Sequence, residues 1–298
     1  WGDGNNATNL GVPLVLTPTT SITDADYLSR SSVADVYQKV ITDLERAESL
    51  LPNTNGIYAT KNAAAAILSR VFLMQGDYPK ARDAANRVIT SNRQTLAPTF
   101  AGLWYTFITN AGNSPSEYIF SMKVTAQDGA NGLNTYFGTN AGAGTAGRSD
   151  CKIFPAHLAK YEAGDDRLAN FVVVGGNNYT RKHLDRFGNV CIVRLGEMYL
   201  TRAECNFRLG TTVGALPISD INKIRDRAGA NLLTNFFSFD FNSLLIKTNF
   251  SFSDIDSPCD LKKLFSTVFS RLSIFFNLVS SLKKLSIILY VLAFFIFN

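Results

Sequence analysis

The sequence predicts a mainly α-helical chain, built of helical hairpins with an irregular, loop-rich insert and a few short strands. Three observations predict it. One unbroken apolar stripe at helical spacing runs through residues 32–51. Two alanine-rich helical segments follow, joined by only two or three residues. A glycine-rich stretch then breaks the pattern before a second helical pair returns.

Residues 1–30 read as loop, with Gly11-Val12-Pro13-Leu14-Val15-Leu16 as a short extended segment closed by Pro18 and a Thr/Ser run. In the helix at 32–51, Val33, Val36, Tyr37, Val40, Ile41, Leu44, Ala47 and Leu51 form the stripe; Ser31 or Ser32 caps it and Pro52 stops it. A second helix spans 61–75, opened by Thr60 and carrying four consecutive alanines, Ala63 to Ala66. Gly76-Asp77 ends it, and a third helix spans 78–91 with Asp77 as cap and Pro79 in its first turn. So short a connection makes the two helices antiparallel neighbours. Ala81, Ala84 and Ala85 against an alanine-rich partner resemble a tetratricopeptide unit.

Tyr118, Phe120, Met122 and Val124 alternate with polar or small residues and read as a strand. Residues 126–149, with six glycines, read as a long surface loop, of the length that in compact domains is functional or disordered. A short helix near 153–162, Asp165-Asp166-Arg167, a strand over 171–174 and a turn at Gly175-Gly176-Asn177-Asn178 come next. Helix 194–209 puts Leu195, Met198, Tyr199, Ala203 and Phe207 on one face; helix 217–228 follows with Ile218, Ile221 and Ile224.

Composition sets the outer bounds. Of 298 residues, 46% are hydrophobic and 18% charged, which excludes a disordered chain. The net charge of +5 comes from 29 basic and 24 acidic residues that are interspersed, so no basic stripe for nucleic acid forms. Its densest candidate, Arg181-Lys182 with Arg186, is short and partly neutralised by Asp185, and reads as a solvated face. Four cysteines and two histidines are too dispersed for a disulfide scaffold or a zinc module. There is no leader sequence in the chain as given, and Trp1 reads as the interior of a domain.

The chain is not uniform. All 21 glycines lie at or before Gly229, the last glutamate is Glu204, and residues 236–298 hold 13 of the 22 phenylalanines. We therefore divide it into residues 1–234, a partial domain, and 235–298, an atypical hydrophobic tail whose Phe, Ser, Leu, Ile, Asn and Lys are what AT-rich codons yield out of frame. A membrane anchor is the competing reading. Its best stretch, residues 285–297, is shorter than the roughly 18–20 apolar residues a bilayer requires.

Six blocks in order carry a resemblance. GVPL at 11–14, SSVADVYQKVITDLERAESLLP at 31–52, AAAAILSRVFLMQGDYPKARDAANRVI at 63–89, SEYIFSMKV at 116–124, KYEAGDDRL at 160–168, and IVRLGEMYLTRAECNFRLG with INKIRDRAGA at 192–230 resemble the SusD/RagB family. The resemblance implies a SusD-like, tetratricopeptide-containing fold and a surface-exposed lipoprotein of the bacterial outer membrane. It implies no catalysis, no cofactor, and delivery of an oligo- or polysaccharide, or another nutrient, to a SusC-like TonB-dependent transporter. It further implies that the signal peptide and lipidated cysteine precede Trp1, and that a Glu- and Arg-rich segment follows the last matching block.

A glycan binder needs aromatic faces for sugar C–H groups and polar side chains for hydroxyls. The candidates are Trp104 and Tyr105 beside residues 110–113, and Tyr136 and Phe137 with Asn131 and Asn134 in the glycine-rich loop. Arg194 and Glu197, three apart on a helix, read as a buried ion pair. Asp165 and Asp166 invite a glycosidase reading, but adjacent side chains diverge and no second acidic motif partners them. His157 and His183 lack metal-ligand spacing, and no phosphate loop, GxSxG or HExxH occurs, so no catalytic and no metal site is assigned. The rival to a glycan binder is a helical-repeat adaptor for protein partners.

Overall fold

A serine, a threonine and an aspartate start the three long N-terminal helices. In the computed structural model, which describes residues 4–105, 114–139 and 147–234, Ser32 Oγ accepts the Asp35 N–H at 3.0 Å and opens α1 (Val33–Leu50). Thr60 Oγ1 accepts from Ala63 N at 3.3 Å to open α2 (Lys61–Gln75), and Asp77 Oδ1 from Lys80 N at 3.2 Å to open α3 (Tyr78–Thr90). Between the last two, Gly76 adopts φ +78°, a left-handed conformation that reverses the chain without a side-chain clash. Ala63 to Ala66 and Ala81, Ala84 and Ala85 are all buried, and their small side chains let α2 and α3 pack closely.

The second helical pair is α7 (Leu195–Leu209) and α8 (Pro217–Asp226); α7 lies against α3 as well as α8. Ala63, Ala65, Ala66, Ala85 and Val88 join Leu195 and Met198 in one core, and Leu68, Phe72, Ala81, Ala84 and Cys205 form another. Of the expected face of α7, Leu195, Met198 and Ala203 are buried while Phe207 is exposed. The stripe of α1 is half-buried, with Ile41 and Leu44 reaching the second core; within it Val40 faces solvent, as does Leu50 beside its end.

Between the pairs lie the short elements. Helix α4 (Gly102–Tyr105) precedes β1 (Tyr118–Met122), which pairs antiparallel with β4 (Val190–Arg194), register Tyr118↔Arg194 and Met122↔Val190. β2 (Phe171–Val174) and β3 (Asn177–Thr180) form a hairpin around Gly175 and Gly176, both at positive φ, as a two-residue turn of that hand requires. Helix α6 (Pro155–Leu158) is shorter than expected. The expectation of a plain loop over 126–149 is corrected by α5 (Gly132–Phe137), capped by Asn131 and followed by buried Gly138 and Thr139. β4 was not foreseen because it runs straight into α7 with no turn residue between them.

The chain divides into two units, Trp1–Leu232 and Leu233–Asn298. Every element named here belongs to the first. The tail at 235–298 lies outside the described residues.

Candidate functional site

The β1–β4 ribbon, α4, the start of α5 and the segment 182–194 enclose a cavity of about 210 Å³, lined among others by Trp104, Asn131, Lys182, His183, Arg194 and Glu197. Its walls are built by hydrogen bonds that anchor the segment after β3. Asn131 Nδ2 donates to the carbonyls of Asp185, Arg186 and Gly188 at 3.1–3.2 Å, while its Oδ1 accepts from Asn134 N at 2.8 Å. Asn134 is fully buried, and its Nδ2 donates to the carbonyls of His183 at 2.8 Å and Leu184 at 3.1 Å. The two asparagines expected to meet ligand therefore staple α5 to residues 183–188. Asn131 also borders the cavity; Asn134 lies beneath it with no exposed surface.

Trp104 is the aromatic wall. Phe100 meets it edge-on, ring centroids 6.2 Å apart, and the half-buried indole packs against a buried cluster of Phe100, Tyr118 and Ala228. Lys182 Nζ stands 5.1 Å from the Trp104 centroid and 6.0 Å from that of Phe100, and the Arg194 guanidinium lies 6.0 Å from Trp104. The Trp104 Nε1 is buried without a hydrogen-bond partner among the described residues. Tyr136 is exposed at the far side of α5 with Arg148 5.1 Å from its ring centre, and Phe137 is half-buried, 5.8 Å from the His183 ring. The side chain of Tyr105 and residues 110–113 lie outside the described residues.

The expected Arg194–Glu197 pair is not made. Arg194 is the extended residue that precedes α7, so helical i,i+3 spacing does not bring the two together. Its Nη1 instead donates to Glu117 Oε1 at 2.7 Å, and Glu197 takes a two-point bond from Arg70, both contacts 2.7 Å. Glu117 is fully buried and also accepts from Arg227 and from Ala97 N, the latter at 3.1 Å. Burial pushes its carboxyl up, but the Arg227 bond and charge, the Ala97 N–H and Arg194 together hold it below the usual range.

The remaining titratable groups around the cavity carry little reactivity. Burial, aided by Lys182, pushes His183 down to about 4, so its ring is neutral at physiological pH. Burial pushes the Cys191 thiol up to about 12, away from the thiolate a nucleophile needs. Burial and the neighbouring Arg194 and Arg167 lower the Lys182 ammonium. Away from the cavity, Asp165 is buried under a forked contact from Arg167, which occupies the one acid of the Asp165–Asp166 couple that has left solvent. His157 sits against Tyr161 and Phe171 at 5.5 and 5.7 Å. Among the described residues no cluster of His, Cys, Asp and Glu fits a metal ion.

Sequence reading missed Lys182 and His183. A basic dipeptide beside a short strand looks solvated, and only the pairing of β1 with β4 and the Asn131 and Asn134 staples turn Lys182 inward beside Trp104.

Comparison with known proteins follows the same outline. A family model described as "Starch-binding associating with outer membrane" matches residues 1–73, and one described as "SusD family" matches residues 161–241. "SusD-like protein P2" of Formosa agariphila is 29% identical over 126 residues, 41% of this chain and 24% of that protein. A SusD superfamily protein from Bacteroides thetaiotaomicron is similar in structure at TM-score 0.58 and 27% identity, over 76% of this chain and 53% of that one. A SusD-like carbohydrate binding protein from Bacteroides vulgatus shares the fold at TM-score 0.62 and 21% identity, over 80% of this chain and 52% of that one. The chain thus spans about half the length of these solved structures and a quarter of the curated relative. Two matches to SusD-type models at separate stretches, one shared fold and the paired helical hairpins all point the same way: they support a SusD/RagB family protein.

Proposed function

We propose that this chain is part of a cell-surface glycan-binding protein of the outer membrane that captures an oligo- or polysaccharide and passes it to a SusC-like TonB-dependent transporter. The observation that carries this reading is the cavity at Trp104: an indole wall with convergent amide, ammonium and guanidinium groups, the mixture of apolar face and polar donors that sugar rings call for. The family's description as starch-binding and outer-membrane-associated supports it, as does the name of the Bacteroides vulgatus structure. The outer-membrane location follows the family description, and no described helix is long and apolar enough to cross a membrane.

The role is binding without bond cleavage. The raised thiol of Cys191, the low-pKa His183 and the arginine-bound Glu197 give none of these three cavity groups the character of a base poised near neutrality. Electrophoresis of the purified chain through gels cast with plant, algal and host polysaccharides tests the reading. Retardation by one glycan class, with no reducing ends released, is the expected result.

A second reading, a helical-repeat adaptor for proteins, has the exposed apolar side chains of the N-terminal segment in its favour, Leu10, Val12 and Leu16 among them, with Val40 and Leu50 of α1. Retardation by no glycan, together with a stoichiometric peptide partner, would select it.

A further inference from the structure

Among the described residues the charges around the cavity do not balance. Glu197 is matched by Arg70. Glu117 faces two cations, Arg194 and Arg227, and can neutralise only one. Arg227 is almost wholly buried, its guanidinium 5.8 Å from the Phe100 ring centre, and its Nε and Nη2 have no partner among the described residues. Lys182, on the same aromatic pair, forms no ion pair among the described residues; its neighbours are the Trp104 and Phe100 rings. Asp185, the other acid on the lining, uses Oδ1 to accept from Phe187 N at 2.9 Å. Residues 106–113 and 140–146 contain neither Asp nor Glu.

An ammonium held against two rings in a partly dry cavity, with the buried Glu117 carboxylate already shared by Arg194 and Arg227, leaves an excess of positive charge there among the described residues. Aromatic faces soften that cost and supply no counter-charge. We propose that the cavity binds an anionic sugar unit, with a carboxylate or sulfate group of the glycan meeting Lys182 while the ring lies against Trp104. This rests on the glycan-capture reading and narrows its ligand class. The cavity, about 210 Å³, is smaller than the roughly 300–1,000 Å³ of drug-sized ligand sites, so it takes one charged sugar unit of a longer chain.

Matched pairs test it on the full chain by titration calorimetry: oligogalacturonate against its neutral methyl ester, and a sulfated galactan oligosaccharide against its desulfated form. The acidic member of at least one pair is expected to bind about tenfold or more tighter, the contribution of one charge-assisted hydrogen bond. Whichever pair shows the gap identifies the acid. Lys182→Met, which keeps an apolar contact on Trp104, should close the gap, and Lys182→Arg should keep it. Equal affinity within both pairs overturns the inference and leaves glycan capture standing. So does a gap that survives in Lys182→Met with a native circular dichroism spectrum. Failure of every glycan, acidic or neutral, to bind overturns both readings.

Discussion

Arg202 and Asp220 meet in a two-point ion pair, Nε to Oδ2 at 2.8 Å and Nη2 to Oδ1 at 2.7 Å, with both side chains buried. The same guanidinium donates from Nη1 to Asn86 Oδ1 at 2.7 Å, so one arginine on α7 ties α8 and α3 together. Removing one partner of such a pair strands a charge in the interior. Asp220→Ala is expected to cost about 3–5 kcal/mol, and Arg202→Met with Asp220→Leu less than that, because the double change leaves no buried charge. Urea unfolding midpoints of the two variants check the order; a larger loss in the double variant would contradict it.

His183 gives the stability a pH dependence with a defined sign. Its folded pKa is about 4, against an ordinary value of 6.5, because burial and Lys182 disfavour the imidazolium. Between these values the unfolded chain binds the additional proton, so stability is lost as pH falls from about 6.5 towards 4. The half-buried ring puts the loss at about 2 kcal/mol, below what the full shift would give. Below that window the depressed carboxyls of Glu117 and Asp165 add their own losses in the same direction. Urea midpoints at about pH 7 and about pH 5 should differ more for the natural chain than for His183→Gln. Equal differences would remove His183 from the account.

The helical half of this molecule was legible because its signals are local. Ser32, Thr60, Asp77 and Gly76 act within one turn of where they stand, and the alanines of α2 and α3 announce a close contact whatever else surrounds them. The cavity was legible only in part. Trp104 and Asn131 were singled out by residue type, but Lys182, His183 and the true partners of Arg194 depend on contacts between residues 77 and 110 positions apart, such as Arg194 and Arg227 on Glu117. No spacing rule reaches that far. Helix α5 was hidden because glycines on both sides mask a six-residue helix whose stability comes from two asparagine amides bonded to a distant strand connection.

The abrupt change in composition near residue 235 leads to a prediction about the gene. Residues 236–298 contain one arginine, no glutamate and no glycine, so they cannot supply the Glu- and Arg-rich segment expected after INKIRDRAGA. Resequencing across that point is expected to show a shifted reading frame, with the acidic and basic segment restored in the alternative frame. An in-frame tail confirmed by sequencing and by the intact mass of the purified chain would contradict this.

Tyr136 and Phe137 are neighbours in sequence with different surroundings, which separates binding from folding. Tyr136 is 48% exposed, and Arg148 lies 5.1 Å from its ring centre, itself joined to Asp150. A phenol on a short surface helix adds little to a core, and an exposed aromatic beside an arginine suits a sugar face. Phe137 is half-buried against the ring of His183 at 5.8 Å, directly behind the cavity wall. Tyr136→Ala is therefore expected to weaken glycan retention by about 1 kcal/mol or more, in the range of an aromatic anchor, while moving the urea midpoint little. Phe137→Ala should instead cost about 1–2 kcal/mol of stability, the cost of truncating a partly buried ring, and should alter retention only as far as the 183–188 segment shifts. Paired measurement of gel retardation and urea midpoint on each variant checks the division. If Tyr136→Ala leaves retention unchanged while Phe137→Ala abolishes it at a native midpoint, the ligand meets this helix through its inner face and the outer one has no part in capture.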